Sequence, residues 1–233
     1  MLLSHEPASV RTVMFLTAVC YLAFAAVATI VNLGLTAGLD QQILLGLRNA
    51  QDHSDPLGPN WVEEAAVELT ALGGYTVIAL AAIGVVVTLW LAGKSGAAVF
   101  AALAIASGTL LSNAMKLIFE RPRPDLVQHL DQVSTASFPS GHSMISMLAW
   151  LTFAAVAVRF VEHHSVRVFL LISALSLSIA IGLTRVYLGV HWPSDVIAGW
   201  LLGAAWAGSC WLVAHYISHH MSGEMTALGH SRT

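Results

Sequence analysis

The sequence predicts an all-α protein: a bundle of six membrane-crossing helices with a short amphipathic helix in its first extracytoplasmic loop. Three observations carry this. Hydrophobic residues fill 57% of the 233 positions and charged residues only 10%, against roughly 25% charged in a water-soluble domain. Lys, Arg, Asp and Glu are absent from 12–39, 69–93, 95–115, 139–158, 168–184 and 196–223. A hydrocarbon layer of about 30 Å needs about 20 apolar residues in a helix, and six such stretches leave almost no polar face for a soluble fold.

Trimmed to their apolar parts, the stretches predict spans at about 12–33, 72–93, 96–117, 140–159, 167–187 and 194–217. The first is longer than the h-region of a signal peptide, roughly 7–15 residues, and reads as a retained anchor. The loop of about 34–71 follows. Within it, Pro59-Asn60 with Glu63 three positions on resembles a helix start capped by Asn60. Trp61, Ala65 and Leu69 then share one face while Glu63, Glu64 and Glu68 point elsewhere, as in a helix lying along a membrane surface or in an ordinary loop helix. Gly182 and Gly199 suit close helix approach. Cys20 and Cys210 each lie in an apolar run and read as small buried thiols. The whole chain, 1–233, reads as one domain.

Basic residues near the span ends set orientation. With the amino terminus inside, Arg11, Lys94, Arg159, Arg167 and Arg232 are cytoplasmic and Arg48, Lys116, Arg121, Arg123 and Arg185 lie opposite, five against five. Four of the second set sit in segments rich in His and Pro, which marks them as parts of a site. Discounting them leaves five against one, with both termini cytoplasmic and the protein in the plasma (inner) membrane.

Three segments hold most of the polar chemistry: Lys116 to Asp125, Phe138 to Ser143 and Thr184 to Asp195. Lys116 ends the third span and His142 begins the fourth; Arg185 ends the fifth, and His191 and Asp195 begin the sixth. Successive spans alternate in direction, so residues spread over about 80 positions meet at one membrane face, built from site loops 116–142 and 184–195. Lys116, Arg123 and Arg185 are three cations, and paired guanidinium donors match phosphoryl oxygens. Pro139-Ser140-Gly141 and Pro193-Ser194-Asp195 read as helix starts, whose free N–H groups favour anions; Ser140 adds a hydroxyl and Gly141 admits close backbone approach. His191 precedes Asp195 by one helical turn, so the carboxylate can fix its tautomer and leave the other nitrogen to attack phosphorus. His142 can protonate a leaving oxygen and later take a proton from water. Arg121 is left outside the site, facing lipid headgroups.

The spacing Lys116-x6-Arg123-Pro124, then Pro139-Ser140-Gly141-His142, then Thr184-Arg185-x5-His191-x3-Asp195 resembles the type 2 phosphatidic acid phosphatase superfamily, which includes bacterial lipid phosphatases and vanadium haloperoxidases. The resemblance implies that Lys116, Arg123 and Arg185 hold a phosphoryl group with Ser140 and Gly141, that His142 is the acid, His191 the nucleophile and Asp195 its partner. It implies metal-independent hydrolysis, with no cofactor, at a site open to the outer side. Thr184 stands where the third motif usually has serine; a hydroxyl is retained.

The expected partners are a membrane lipid phosphate (undecaprenyl diphosphate, phosphatidylglycerol phosphate or phosphatidate) and the bilayer, with no nucleic acid. A lipid or anion transporter using the cationic pocket for binding alone is the alternative; it requires polar residues continuing through the spans. A vanadate haloperoxidase is soluble, unlike this chain. His163-His164 and His219-His220 read as interface histidines rather than metal pairs, since adjacent helical residues diverge. Trp192 reads either as a wall of the phosphate pocket or as part of an interfacial aromatic belt.

Overall fold

A computed structural model describes residues 10–131 and 135–230, with side chains described as far as Ser218. Eight α-helices follow one another: α1 Val10–Asn32, α2 Ala37–Leu45, α3 Asn60–Ala71, α4 Tyr75–Leu91, α5 Ser95–Phe119, α6 Gly141–Ala157 with a 3-10 turn Val158–Phe160, α7 His164–Tyr187 and α8 Pro193–His230. No strand element occurs among the described residues; Arg48 and Pro56 form one isolated bridge. Five helices (α1, α5, α6 with its turn, α7 and the first part of α8) are long and apolar enough to cross a membrane.

The predicted span at 72–93 differs. Helix α4 starts only at Tyr75, and α3 and α4 pass the same test together as a pair bent by 47°. Gly73 and Gly74 lie at the break. A Cβ on Gly73 would lie 2.5 Å from Ile181 Cγ2 of α7 and 3.3 Å from the carbonyl oxygen of His142, so the missing side chain there lets α7 and α6 close on the bend.

Two further differences lie in the 34–71 loop. Residues 37–45 form α2, which is too short for hydrophobic periodicity to reveal and which buries Asp40 and Leu44. The start of α3 has Pro59 at the cap position, with no side-chain cap bond, in place of the expected Asn60. Its buried positions are Ala66 and Thr70, turned toward α7, whereas Trp61 is 67% exposed.

Helix α6 is the hub, packed on α4, α5, α7 and α8, while α1 leans on α8. A bilayer supplies no hydrophobic drive between helices, so close backbone approach and dispersion must hold them. Gly199 and Gly203 of α8 provide it. A Cβ on Gly199 would lie 2.7 Å from Ser140 O and 2.8 Å from Ser143 Cβ, and one on Gly203 would collide with the Met144 carbonyl. Gly182 of α7 faces the Trp200 ring in the same manner. At one end of the bundle the register is pinned by Ser140 N donating to Asp195 O at 3.0 Å, which brings the two predicted helix starts side by side.

Gly199→Ala is expected to lower stability in detergent by about 1–3 kcal/mol through overpacking, read as a lower thermal midpoint. Gly84→Ala, where nothing lies within 4 Å of the added carbon, should leave the midpoint unchanged or raise it.

Candidate active site

Helix α5 ends because Glu120 turns left-handed (φ 44) and two prolines follow in Arg121-Pro122-Arg123-Pro124, neither able to continue a helix. The released segment runs as a strap along the turn before α8. Trp192 Nε1 donates to Pro122 O (3.1 Å), Arg123 Nη1 to Val190 O (2.7 Å) and Arg121 Nη1 to Ser194 Oγ (2.8 Å). A second strand of the loop folds back, Ser137 N donating to Arg121 O at 2.8 Å.

His191 sits behind this strap with 1% of its surface exposed. Its Nε2 is 3.2 Å from Arg123 Nη1. A guanidinium can only donate, so Nε2 carries the lone pair and the ring proton is on Nδ1. Nδ1 in turn faces Ser137 Oγ at 3.4 Å and Asp195 Oδ2 at 3.5 Å. The one-turn spacing therefore does bring the carboxylate to the ring, but a serine shares the gap: the Ser137 hydroxyl donates to Asp195 Oδ2 in a short hydrogen bond. Trp192 N also donates to Oδ2 (3.0 Å), and Arg121 Nη1 holds Oδ1 at 2.5 Å. Asp195 is wholly buried and its charge is met on both oxygens.

Burial pushes the His191 imidazolium well below its usual range, and the charges of Arg123, Arg185 and Lys116 push the same way. The neutral form thus persists into acid. Burial and the nearby charge of Arg185 draw Arg123 down to about 10, against opposing pulls from Asp195 and Asp131; it stays charged at neutral pH.

The three cations converge on one short stretch of loop. Lys116 Nζ donates to Thr135 Oγ1 (2.9 Å) and Ala136 O (3.0 Å). Arg123 Nε donates to Thr135 O (2.7 Å), and its Nη2 to Thr135 Oγ1 (3.3 Å). Arg185, 1% exposed, donates from Nη1 to Thr70 Oγ1 (2.9 Å) and to Asp131 Oδ2 (2.7 Å), while its buried Nε has no acceptor among the described residues. Asp131 thus puts a carboxylate oxygen on the arginine expected to hold a phosphoryl oxygen.

At the start of α6, Ser140 Oγ accepts from Ser143 N (3.4 Å) and from Ser143 Oγ (2.9 Å), so its lone pairs cap the helix. A Cβ on Gly141 would lie 2.9 Å from the Tyr75 hydroxyl and 3.5 Å from Lys116 Cε, which explains glycine there. His142 follows Gly141 in the first turn of α6, and its ring lies against the α3–α4 bend. All eight predicted residues, Lys116, Arg123, Ser140, Gly141, His142, Arg185, His191 and Asp195, therefore meet at one end of the bundle.

Other expectations change. Arg121 does not face headgroups; it bridges Asp195 and Asp40, the latter at 2.9 Å. Trp192 lies over the Arg121 guanidinium, its ring centroid 5.7 Å from Cζ. The Thr184 hydroxyl donates to Ile181 O at 2.6 Å, within its own helix. His163 and His164 are exposed at the start of α7; the His219-His220 side chains lie outside the described ones. Thr70, Tyr75, Thr135 and Ser137 line or support the site without any sequence signal, being single polar residues in segments with no motif.

An imidazole whose lone pair faces a guanidinium, three cations and two helix N-termini at one end of an all-helical apolar bundle define an integral-membrane protein with a cation-lined polar site. The chain belongs to the PAP2 superfamily, whose sequence model matches residues 97–219. Phosphatidylglycerophosphatase B of Bacillus subtilis (strain 168) is 29% identical over 146 residues, 61% of this chain and 70% of that protein. An undecaprenyl-diphosphatase of Sulfolobus acidocaldarius is 37% identical over 68 residues, 29% of each chain. The fold matches the crystal structure of a transmembrane PAP2-type phosphatidylglycerolphosphate phosphatase from Bacillus subtilis with a TM-score of 0.73, at 24% identity, covering 86% of this chain and 96% of that one.

Nitrogen-15 NMR of histidine-labelled protein in detergent, with His191 assigned by the signals lost in His191→Gln, should show a neutral ring protonated on Nδ1 at pH 6. An imidazolium or Nε2-protonated ring at that pH contradicts the Arg123 geometry.

Proposed function

We propose that this protein hydrolyses a lipid phosphate or diphosphate at the outer face of the plasma (inner) membrane, without a metal ion, through a phosphohistidine on His191. Family membership and its phosphatase relatives carry the class, a lipid phosphate phosphatase. The observation that carries the mechanism is the His191 ring, with its Nε2 lone pair turned to Arg123 and its Nδ1 side turned to Ser137 and Asp195.

In this reading the phosphoryl oxygens bind Lys116, Arg123 and Arg185, with the N-terminus of α6 at Ser140 and Gly141 adding backbone N–H groups. Nε2 attacks phosphorus and forms the N–P bond as the P–O bond to the lipid breaks, and His142 delivers a proton to the departing oxygen. His142 then takes a proton from water, whose oxygen attacks phosphorus; the N–P bond breaks and inorganic phosphate leaves. The cations stabilise charge on the equatorial oxygens throughout.

The bent pair α3–α4 serves as the second of six crossings. Trp61 and Val67, both exposed on α3, then lie at the level of the headgroups, as an interfacial amphipathic helix would place them. Both termini are cytoplasmic. Transport finds less support: among the described residues, the buried charged side chains Asp40, Arg48, Lys116, Arg185 and Asp195 belong to the outer loops or to the outer ends of their helices, and the bundle's middle buries only hydroxyls such as Ser146, Thr152 and Ser178.

Purified protein in detergent, with chelator present, is expected to release phosphate from at least one of phosphatidylglycerol phosphate, phosphatidate and undecaprenyl diphosphate. His191→Ala should lower kcat by at least about 10⁴-fold, and quenched turnover of labelled substrate should leave phosphate on a histidine of the parent protein. Label on a serine, or no release from any of the three lipids, refutes this reading. Asp131→Asn removes an anion that competes for Arg185 and should lower KM severalfold with kcat little changed; a raised KM makes Asp131 part of the binding site instead.

A further inference from the structure

One carboxylate buried near the site has no place in the chemistry above. Asp40, contributed by α2, is 2% exposed. Its Oδ1 accepts from Ser194 N (2.9 Å), and its Oδ2 accepts from Ser194 Oγ (2.6 Å) and from Arg121 Nη2 (2.9 Å). The other end of the same guanidinium holds Asp195 Oδ1 at 2.5 Å and Ser194 Oγ at 2.8 Å. One arginine is thus divided between two carboxylates, and Trp192 covers its face.

We infer that Asp40 and Arg121 are positioning residues for the nucleophile: Asp40 draws on Arg121 so that Asp195 presents a net negative charge to His191. The inference deepens the phosphohistidine reading and rests on it for its catalytic consequence.

The charge count makes the case. Asp40, Arg121 and Asp195 sum to one negative charge, in a setting where little solvent screens it. Attack through Nε2 while Nδ1 keeps its proton leaves the imidazole ring of the intermediate positively charged. That cation forms among Arg123, Arg185 and Lys116, which already disfavour it. If Arg121 belonged to Asp195 alone, the pair would be neutral and nothing at the ring's Nδ1 side would offset those charges. A second carboxylate on Arg121 restores the offset without adding an anion to the face where phosphate must bind.

The competing role for Asp40 is purely structural, capping the start of α8 through Ser194 N. Asp40→Asn separates the two, since the carboxamide keeps an acceptor oxygen and the same size while losing the charge. The other charged groups acting on His191 are Lys116 from α5, Arg123 from the strap, His142 from α6, Arg185 from α7 and Asp195 from α8. Asp131 adds to them through Arg185 and Arg123. All are retained in every variant below.

The test titrates the His191 ring by nitrogen-15 NMR in the full chain in detergent, alongside kcat and KM for phosphatidylglycerol phosphate. Asp40→Asn should lower the titration midpoint by roughly 0.5–1 pH unit, and Arg121→Gln should raise it by a similar amount. The double variant, again carrying one net negative charge, should return close to the parent. Asp40→Asn should also lower kcat about tenfold with KM within about twofold of the parent. Singles that shift in the same direction, or not at all, overturn the inference. Either single variant decides the matter if the other does not fold. If neither folds, a double-variant midpoint away from the parent's overturns it and a parental midpoint supports it. A parent protein that titrates as expected but releases no phosphate from any lipid sinks the phosphatase reading and leaves the electrostatic one standing.

Discussion

A carboxylate with no exposed surface at the first turn of α8 is the constraint from which the rest of the site follows. An ionised group so buried is costly unless its charge is balanced and its lone pairs are met. Asp195 meets that condition by recruiting residues from two other segments, the Arg121 guanidinium from the strap after α5 and the Ser137 hydroxyl from the loop before α6, together with Trp192 N–H from its own turn. Each bond also fixes a piece of loop that positions something else. The strap carries Arg123 against His191, and the Ser137 segment carries Thr135 and Ala136 to Lys116 and Arg123. Satisfying one buried charge assembles the cations.

That assembly depends on α6 and α8 lying almost backbone to backbone. Gly199 and Gly203 permit the approach, and the bond from Ser140 N to Asp195 O fixes the two helix starts at one level. A shift of one helical turn, about 5.4 Å, would separate His142 from His191 and leave the loop unable to reach Asp195. Packing in the span and chemistry at its end are therefore one problem, solved by small residues on α8.

The spans were legible because membrane burial leaves a coarse compositional trace, and the convergence of Lys116, His142, Arg185, His191 and Asp195 was legible because alternating spans have only two ends. Neither inference needed side-chain geometry. What escaped was set by tertiary approach. Helix α2 is too short to show a period, so nothing in the sequence marks Asp40. The Gly73-Gly74 break looked like the start of a span, because glycine in an apolar run says nothing of the helix pressed against it. Arg121, two positions from Arg123, reads from the sequence as a headgroup contact, and only the structure shows that the two guanidiniums serve different partners: Arg121 two carboxylates, Arg123 the lone pair of His191. Ser137 and Thr135 carried no signal, since a hydroxyl between a histidine and an aspartate, or between two cations, has no fixed spacing in sequence.

Helix dipoles explain why the charges are distributed among the spans as they are. Lys116 and Arg185 occupy the last turns of α5 and α7, where the negative ends of the helices favour cations. The starts of α6 and α8 lie between them and offer N–H groups and positive ends, which favour anions. One such anion is built in, Asp195 in the first turn of α8; Asp40 supplies another from outside at Ser194 N. The start of α6, with Gly141 left bare of a side chain, carries no acid in its first turn. The same antiparallel order thus sets the cations on the last turns of α5 and α7 beside the anion-favouring starts of α6 and α8. It leaves one helix start, flanked by Lys116, Arg123 and Arg185, where an incoming phosphoryl group in the proposed reaction would complete the pattern.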